Sequence, residues 1–226
     1  MSDVDFSPLS WTGRALRKAG TELLRRVSPE AIWIDVGAHI GETTLHHASR
    51  NPGLRIFAFE PNLRAAVGLM GQASNYIVIP MAVAEQDGHG EFHINRFAAA
   101  SSLLPMNEES RKKWIGGEVL AVESTAIVPT IRLDTFMRLA CIEKVDYLKI
   151  DAQGMDLAIL RSAGSRLEDV AKITIEVDLS PRPLYVGAAS KSEAVGFLRQ
   201  AGFELRKTEK QTYGQEENLT FVKVSK

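Results

Sequence analysis

The side chains best placed to do chemistry are carboxylates at the ends of apolar runs, beginning with Asp35 in the segment Asp35-Val36-Gly37-Ala38-His39-Ile40-Gly41. Gly37 lets the backbone approach a ligand with no Cβ in the way, Gly41 permits close packing where a helix starts, and that helix start offers free N–H groups. The spacing is GxxxG, not the GxGxxG of dinucleotide folds, and a pyrophosphate here would meet the charge of Asp35. A carboxylate in this place suits an ammonium group. Glu60, followed by Pro61, stands 25 residues after Asp35, where a carboxylate that accepts ribose hydroxyl hydrogen bonds belongs. An adenosine with a cationic amino-acid tail satisfies both carboxylates, and a dinucleotide satisfies only Glu60. Both residues also admit a plain structural use, capping helices and pairing with arginines.

Further along, Lys149 and Asp151 lie two apart on one apolar run, so they project to the same face, and Glu176 and Asp178 do likewise on the next. They could form a base, a cation cage or a hydrogen-bonded support, with a buried Lys149 ion pair that only orders the sheet as an equal alternative. Asp151, Glu176 and Asp178 could offer oxygen ligands to a divalent ion, but Lys149 competes with a cation, so a metal-free site is expected. His46 and His47 diverge on a helix, and His89 and His93 have no third ligand near in sequence, which argues against zinc. Arg111, Lys112, Lys113 and Trp114 could recognise an acidic acceptor, although a solvated charged turn explains them as well.

These residues need elements to hold them. AIWIDVG, RIFAFEP and YIVIPMAVA are apolar runs separated by helical patterns, which predicts βαβαβ, a parallel doubly wound sheet covered on both faces. A hairpin is predicted at Asp87-Gly88, between AVAEQ and HGEFHIN. Residues 96–129 read as a long irregular loop, a lid or substrate loop with Gly116-Gly117 as its hinge and Ser101 and Ser102 at the pocket edge. YLKID and KITIEVD give two more strands, a helix with Ser192 as N-cap follows, and FELRKTE with NLTFVKV should pair antiparallel because the link is too short for a helix.

The chain has 226 residues, 45% of them hydrophobic, which suits one domain with one core. Its 27 Lys and Arg against 28 Asp and Glu give no basic excess for phosphate backbones, so a nucleic-acid partner is not expected. Cys141 is the single cysteine and forms no internal disulfide; with no signal peptide or membrane span in view, a cytoplasmic location is expected. Residues Leu9 to Val27 predict an amphipathic basic helix within a 1–30 extension. The oligomeric state stays open, a homodimer included.

The chain resembles the FkbM-type methyltransferases from Ile32 to about Asp178. The matching pieces are DVGAHIGETTL, AFEPN, MAVAEQDG, Ser101-Ser102-Leu103, Ile131-Arg132-Leu133-Asp134, Tyr147-Leu148-Lys149-Ile150-Asp151 with Gly154 and Asp156, and Thr174-Ile175-Glu176-Val177. The resemblance implies a class I, Rossmann-like fold with seven strands and an antiparallel last strand. It implies S-adenosylmethionine as methyl donor and O-methylation, at a hydroxyl or carboxylate, of a small molecule, natural product or saccharide. The donor is expected on Asp35, Gly37, Ala38, His39, Gly41, Thr44, Glu60, Pro61, Ala82 and Ser102, and catalysis, from the places of these residues at strand ends, on Asp151, Lys149 and Glu176. His39 stands where Asn is usual, Gln153 where Glu is usual, and Asp156 where Glu is usual, so Gln153 is given no proton-transfer role. The rival readings are a SAM-fold binding protein without catalysis and a nicotinamide dehydrogenase; the missing GxGxxG and the terminal antiparallel pair speak against the latter.

Overall fold

The computed structural model describes residues 29–224; the helix predicted over Leu9 to Val27 lies outside them. Strands form where β-branched and aromatic residues run together: β1 (Ala31–Val36), β2 (Leu54–Phe59), β3 (Tyr76–Ile79), β7 (Tyr147–Ile150), β8 (Lys172–Asp178), β9 (Phe203–Gln211) and β10 (Glu216–Lys223). They make one seven-stranded sheet in the order β3-β2-β1-β7-β8-β10-β9. The first five are parallel, and β10 runs antiparallel to both β8 and β9, as the FELRKTE and NLTFVKV pairing requires. Strand order reverses between β1 and β7, which opens a crevice at their carboxyl ends.

Both faces are covered. On one, Ile34, Val36, Leu148, Ile150, Ile173 and Phe221 pack with Phe136 and Met137 of α4 (Leu133–Leu139) and Ile159 and Leu160 of α5 (Asp156–Ser162). On the other, Ile56 and Tyr76 pack with Ala48 of α1 (Leu45–Arg50) and Leu69, the last residue of α2 (Leu63–Leu69).

The region after β3 departs from the expected plan. Pro80 divides the third apolar run, and its second half becomes β4 (Ala82–Val83) in a separate three-stranded sheet. Strands β4 and β5 (Gly88–Asn95) do not pair with each other across Asp87-Gly88. Both flank β6 (Val122–Ile131), β4 in parallel and β5 antiparallel. The Asp87 carboxylate instead accepts from the Arg132 backbone N–H at 2.8 Å and the Thr135 hydroxyl at 2.9 Å, tying the turn to the start of α4. The stretch 96–129 is not one loop: it holds α3 (Glu108–Lys113), two 3₁₀ turns and the larger part of β6. Of its glycine pair, Gly116 is left-handed at φ 81°, and a Cβ on Gly117 would lie 1.9 Å from the Arg111 carbonyl oxygen, so the pair is required by a tight turn onto α3. Helix α6 (Lys191–Gln200) is capped by Ser190, not Ser192: Ser190 Oγ accepts from the Glu193 N–H while the Glu193 carboxylate accepts from the Ser190 N–H.

Candidate active site

The crevice holds a cavity of about 350 Å³. One wall comes from the ends of β1 and β2. There Gly37 turns the chain at φ 75°, and a Cβ at this position would lie 1.9 Å from the Asp151 carbonyl oxygen, so only glycine lets β1 and β7 end side by side. His39, also left-handed at φ 47°, donates its backbone N–H to Glu60 Oε2 at 2.7 Å, and Asn62 donates its own to Oε1 at 2.7 Å. Burial pushes the Glu60 carboxyl above its ordinary pKa, against the pull of these two N–H groups. The His39 ring is turned to Glu42, with Nδ1 2.7 Å from its carboxylate.

Asp35 is not part of this wall. It is 1% exposed, and the ammonium beside it belongs to Lys149, the residue opposite it on β7, with Nζ 3.1 Å from Oδ1. Its other oxygen accepts from Thr44, and Lys149 Nζ donates to the Gly37 carbonyl at 2.8 Å. Burial would lower the Lys149 pKa, but the charges of Asp35 and then Asp151 outweigh it and hold the group cationic. The sheet's register thus supplies Asp35 with its counter-ion. Gly41 is also set back, at φ 81°, against Leu45 and Leu69, and Ala38 and Thr44 are buried behind the cavity.

The opposite wall comes from β7, β8 and β10. Asp151 lies 3.5 Å from Lys149 and keeps 35% of its side chain exposed. Gln153 donates through Nε2 to Asp151 Oδ1 and to Glu176 Oε2, both at 2.9 Å, and its carbonyl accepts from the Tyr185 hydroxyl at 2.8 Å. Glu216, opposite Asp178 on β10, joins them. Burial, then the charges of Asp151, Glu216 and Asp156, raises the Glu176 pKa well above its usual range. Glu216 is pushed up to about 7 by burial, despite the Thr212 hydroxyl bond, with Asp151 adding to the rise. Asp178 is turned away, accepting from the Leu184 N–H at 2.7 Å and the Ser180 N–H at 2.6 Å.

The segment after β5 covers the cavity: Phe97, Ala98, Ser101, Ser102, Trp114 and Leu120 line it, and Ser102 Oγ donates to the Gln153 carbonyl at 2.8 Å. Arg111 is committed to Glu108 and to the Gly117 carbonyl, and with Lys112 and Lys113 it lies outside the lining. So the cavity gathers Gly37, His39, Glu60, Pro61, Ala82, Ser102, Lys149, Asp151 and Glu176, and leaves out Asp35, Ala38, Gly41 and Thr44. Gln153, Tyr185 and Glu216 carried no catalytic signal in the sequence: an amide, a phenol in a loop and the first residue of the last strand acquire meaning only once β8 and β10 are side by side.

Residues 35–205 match the family model described as Methyltransferase FkbM domain. The chain is 24% identical over 170 residues to the 2-O-methyltransferase NoeI of Sinorhizobium fredii, covering 70% of this chain and 67% of that protein. It is 28% identical over 206 residues to the AMB antimetabolite synthetase AmbE of Pseudomonas aeruginosa, covering 78% of this chain but spanning only 10% of that longer protein. Among solved structures, fibrillarin of Aeropyrum pernix with bound S-adenosyl-L-methionine is 13% identical, with a TM-score of 0.46 over 91% of this chain and 74% of that one. Magnesium protoporphyrin IX methyltransferase of Synechocystis, also with bound SAM, is 8% identical, with a TM-score of 0.47 over 99% and 87%. The family model spans most of the chain, including the β1–β2 wall and the β7 and β8 part of the other, and the chain therefore belongs to the FkbM methyltransferase family of S-adenosylmethionine-dependent enzymes.

Proposed function

We propose that the chain methylates a hydroxyl oxygen of an uncharged small molecule or saccharide, with Asp151 taking the hydroxyl proton. One observation carries this reading: the Asp151 carboxylate is open to the cavity while the buried Lys149 ammonium stands 3.5 Å behind it. A carboxylate placed in this way can accept a proton from an acceptor hydroxyl within hydrogen-bond reach. When bound, S-adenosylmethionine supplies a methyl carbon on a sulfonium sulfur, which an in-line oxygen nucleophile takes with loss of S-adenosylhomocysteine. The donor set fits that molecule, since Glu60 would hold the ribose hydroxyls and Phe59, Met81, Ala82 and Val83 offer apolar surface to the purine.

Charge narrows the acceptor. Burial raises the pKa of three lining carboxyls, Glu60, Glu176 and Glu216, and so lessens their charge, and the one ammonium in the lining, that of Lys149, is already engaged by Asp35 and the Gly37 carbonyl. A carboxylate acceptor would find no free cation among the lining residues, so a hydroxyl is favoured, and the name of the 2-O-methyltransferase relative points to oxygen as well. Residues 98–130 would then cover the acceptor during transfer. The test is transfer of label from methyl-labelled SAM to a panel of neutral saccharides, polyols and carboxylate-bearing analogues. Neutral acceptors should be labelled, and Asp151→Asn should lower turnover by about 100-fold or more with SAM affinity within a few-fold. Native turnover in Asp151→Asn would reduce Asp151 to a structural partner of Lys149. Labelling confined to the anionic acceptors would overturn the charge argument.

A further inference from the structure

A primary amide has two N–H donors and one carbonyl acceptor, and the partners of Gln153 favour one orientation of them. Its Nε2 faces Asp151 Oδ1 and Glu176 Oε2, each at 2.9 Å, and its Oε1 faces the Tyr185 hydroxyl at 2.8 Å. Reversed, the amide would take from Asp151 Oδ1 the N–H that it now accepts and set a carbonyl oxygen against it. The chain path from which the side chain projects is fixed: the backbone is left-handed at φ 53°, and the main-chain carbonyl of Gln153 accepts from Ser102 Oγ. Two carboxyl groups from different strands are thus held side by side by a neutral donor where a divalent ion would otherwise be the usual bridge.

We infer that Gln153 is a positioning residue that occupies the place of a cation between Asp151 and Glu176, and that Gln153→Glu converts the same pocket into a divalent-cation site. This rests on the role proposed above for Asp151, whose carboxylate the amide aims at the acceptor without a metal. The groups facing the bridge bear on the consequence: Lys149 on β7 and Asp151 just past its end, Glu176 on β8, Glu216 on β10, Asp156 on α5, and Tyr185. Only Lys149 is cationic. In Gln153→Glu a third carboxyl enters this group with no N–H to give, so it must hold a proton or bind a cation.

The experiment compares the full chain, Gln153→Glu, and the swap Gln153→Glu with Glu176→Gln, which restores the charge and returns an amide to the group. Each is melted across the neutral pH range with and without millimolar magnesium chloride, and titrated with magnesium calorimetrically. The wild type and the swap should show no binding heat and no magnesium-dependent melting shift. The single variant should bind magnesium, and its melting temperature should fall more steeply with rising pH unless magnesium is present. A merely structural role would lower the melting temperature without either response. Equal magnesium binding by the wild type, or a single variant indifferent to both pH and magnesium, overturns the inference. Should the single variant fold only with magnesium, or fail where the swap folds, the inference stands; failure of both overturns it. No acceptor enters these measurements, so they succeed or fail independently of the Asp151→Asn turnover test.

Discussion

The two walls of the cavity are built by different means. On the β1–β2 wall the backbone does the shaping: Gly37 and His39 hold left-handed turns, and the Glu60 carboxylate is fixed by the N–H groups of His39 and Asn62. The β7–β8–β10 wall is shaped by side chains, with Gln153 between Asp151 and Glu176, Lys149 behind and Glu216 beside them. A wall of backbone tolerates many side chains but few changes of chain path. One of side-chain charges tolerates the reverse, and it answers to pH. Lys149 belongs to both, since it bonds the Gly37 carbonyl and pairs with Asp35 and Asp151.

The largest effect should follow from cutting that link. Lys149→Met leaves Asp35 buried and unpaired, and breaking a buried pair from one side costs about 3–5 kcal/mol. For a chain of this size the melting temperature should fall by roughly 6–20 °C, measured by scanning calorimetry. Asp35→Asn added to it should recover part of the loss. If Lys149→Met melts as the wild type does, the walls are not joined through this ion pair.

A smaller effect separates the walls by pH. Burial pushes the Glu216 pKa up to about 7 and that of Asp156 up to about 8, and it raises Glu176 as well. Groups whose folded pKa lies above the unfolded value stabilise below the unfolded pKa, and that stability is lost as pH rises through the folded pKa. The lowered carboxyls of Asp134 and Asp146 act only in more acid solution. Stability should therefore decline from about pH 5 to pH 8, and Glu216→Gln should flatten the decline. A melting temperature that rises across this window would contradict the crowding of carboxyls on the β8–β10 side.

The same contrast explains what could be read in the sequence. The β1–α1–β2–α2 wall is local: its apolar runs, its glycines and Glu60 follow one another along the chain, so periodicity and spacing place them. Charge partners on the other wall are set by strand register. Asp35 was readable as a carboxylate at a strand end, but its partner Lys149 lies 114 residues away, and the Asp35↔Lys149 register exists only once β1 and β7 pair. Asp87-Gly88 carries a hairpin signal that is local as well, and it failed because β6, drawn in from beyond α3, pairs with both strands. Gln153, as a change from the usual Glu, was visible as a departure without a meaning. Its two carboxylate partners and Tyr185 supply the meaning.

On the backbone-built wall, Glu60 is the side chain that should matter. Glu60→Ala would remove the charge-assisted bonds proposed to the ribose hydroxyls, worth roughly 1.5–3 kcal/mol, and it also frees the His39 and Asn62 N–H groups. SAM affinity measured by calorimetric titration should weaken about ten-fold or more. Unchanged affinity would show that the ribose is held elsewhere and would weaken the division between the walls.

The smallest effect is expected at His39, and its smallness is the point. If this wall works through its backbone, the imidazole is dispensable: the ring reaches Glu42 at the surface, while the N–H that fixes Glu60 is the same in any residue but proline. Asparagine occupies the left-handed region more readily than histidine's bulk allows, so His39→Asn keeps the turn at little or no conformational cost. The Glu42 contact is an exposed pair whose loss is worth about 0–1 kcal/mol. His39→Asn should thus bind SAM within about two-fold of the wild type, less than a 0.5 kcal/mol difference. By contrast, His39→Val, β-branched in a left-handed position, should weaken binding by more, because it disturbs the chain path that holds Glu60. A large loss in His39→Asn would show the imidazole itself touching the donor or the acceptor, and the first wall would then be made of side chains as the second is.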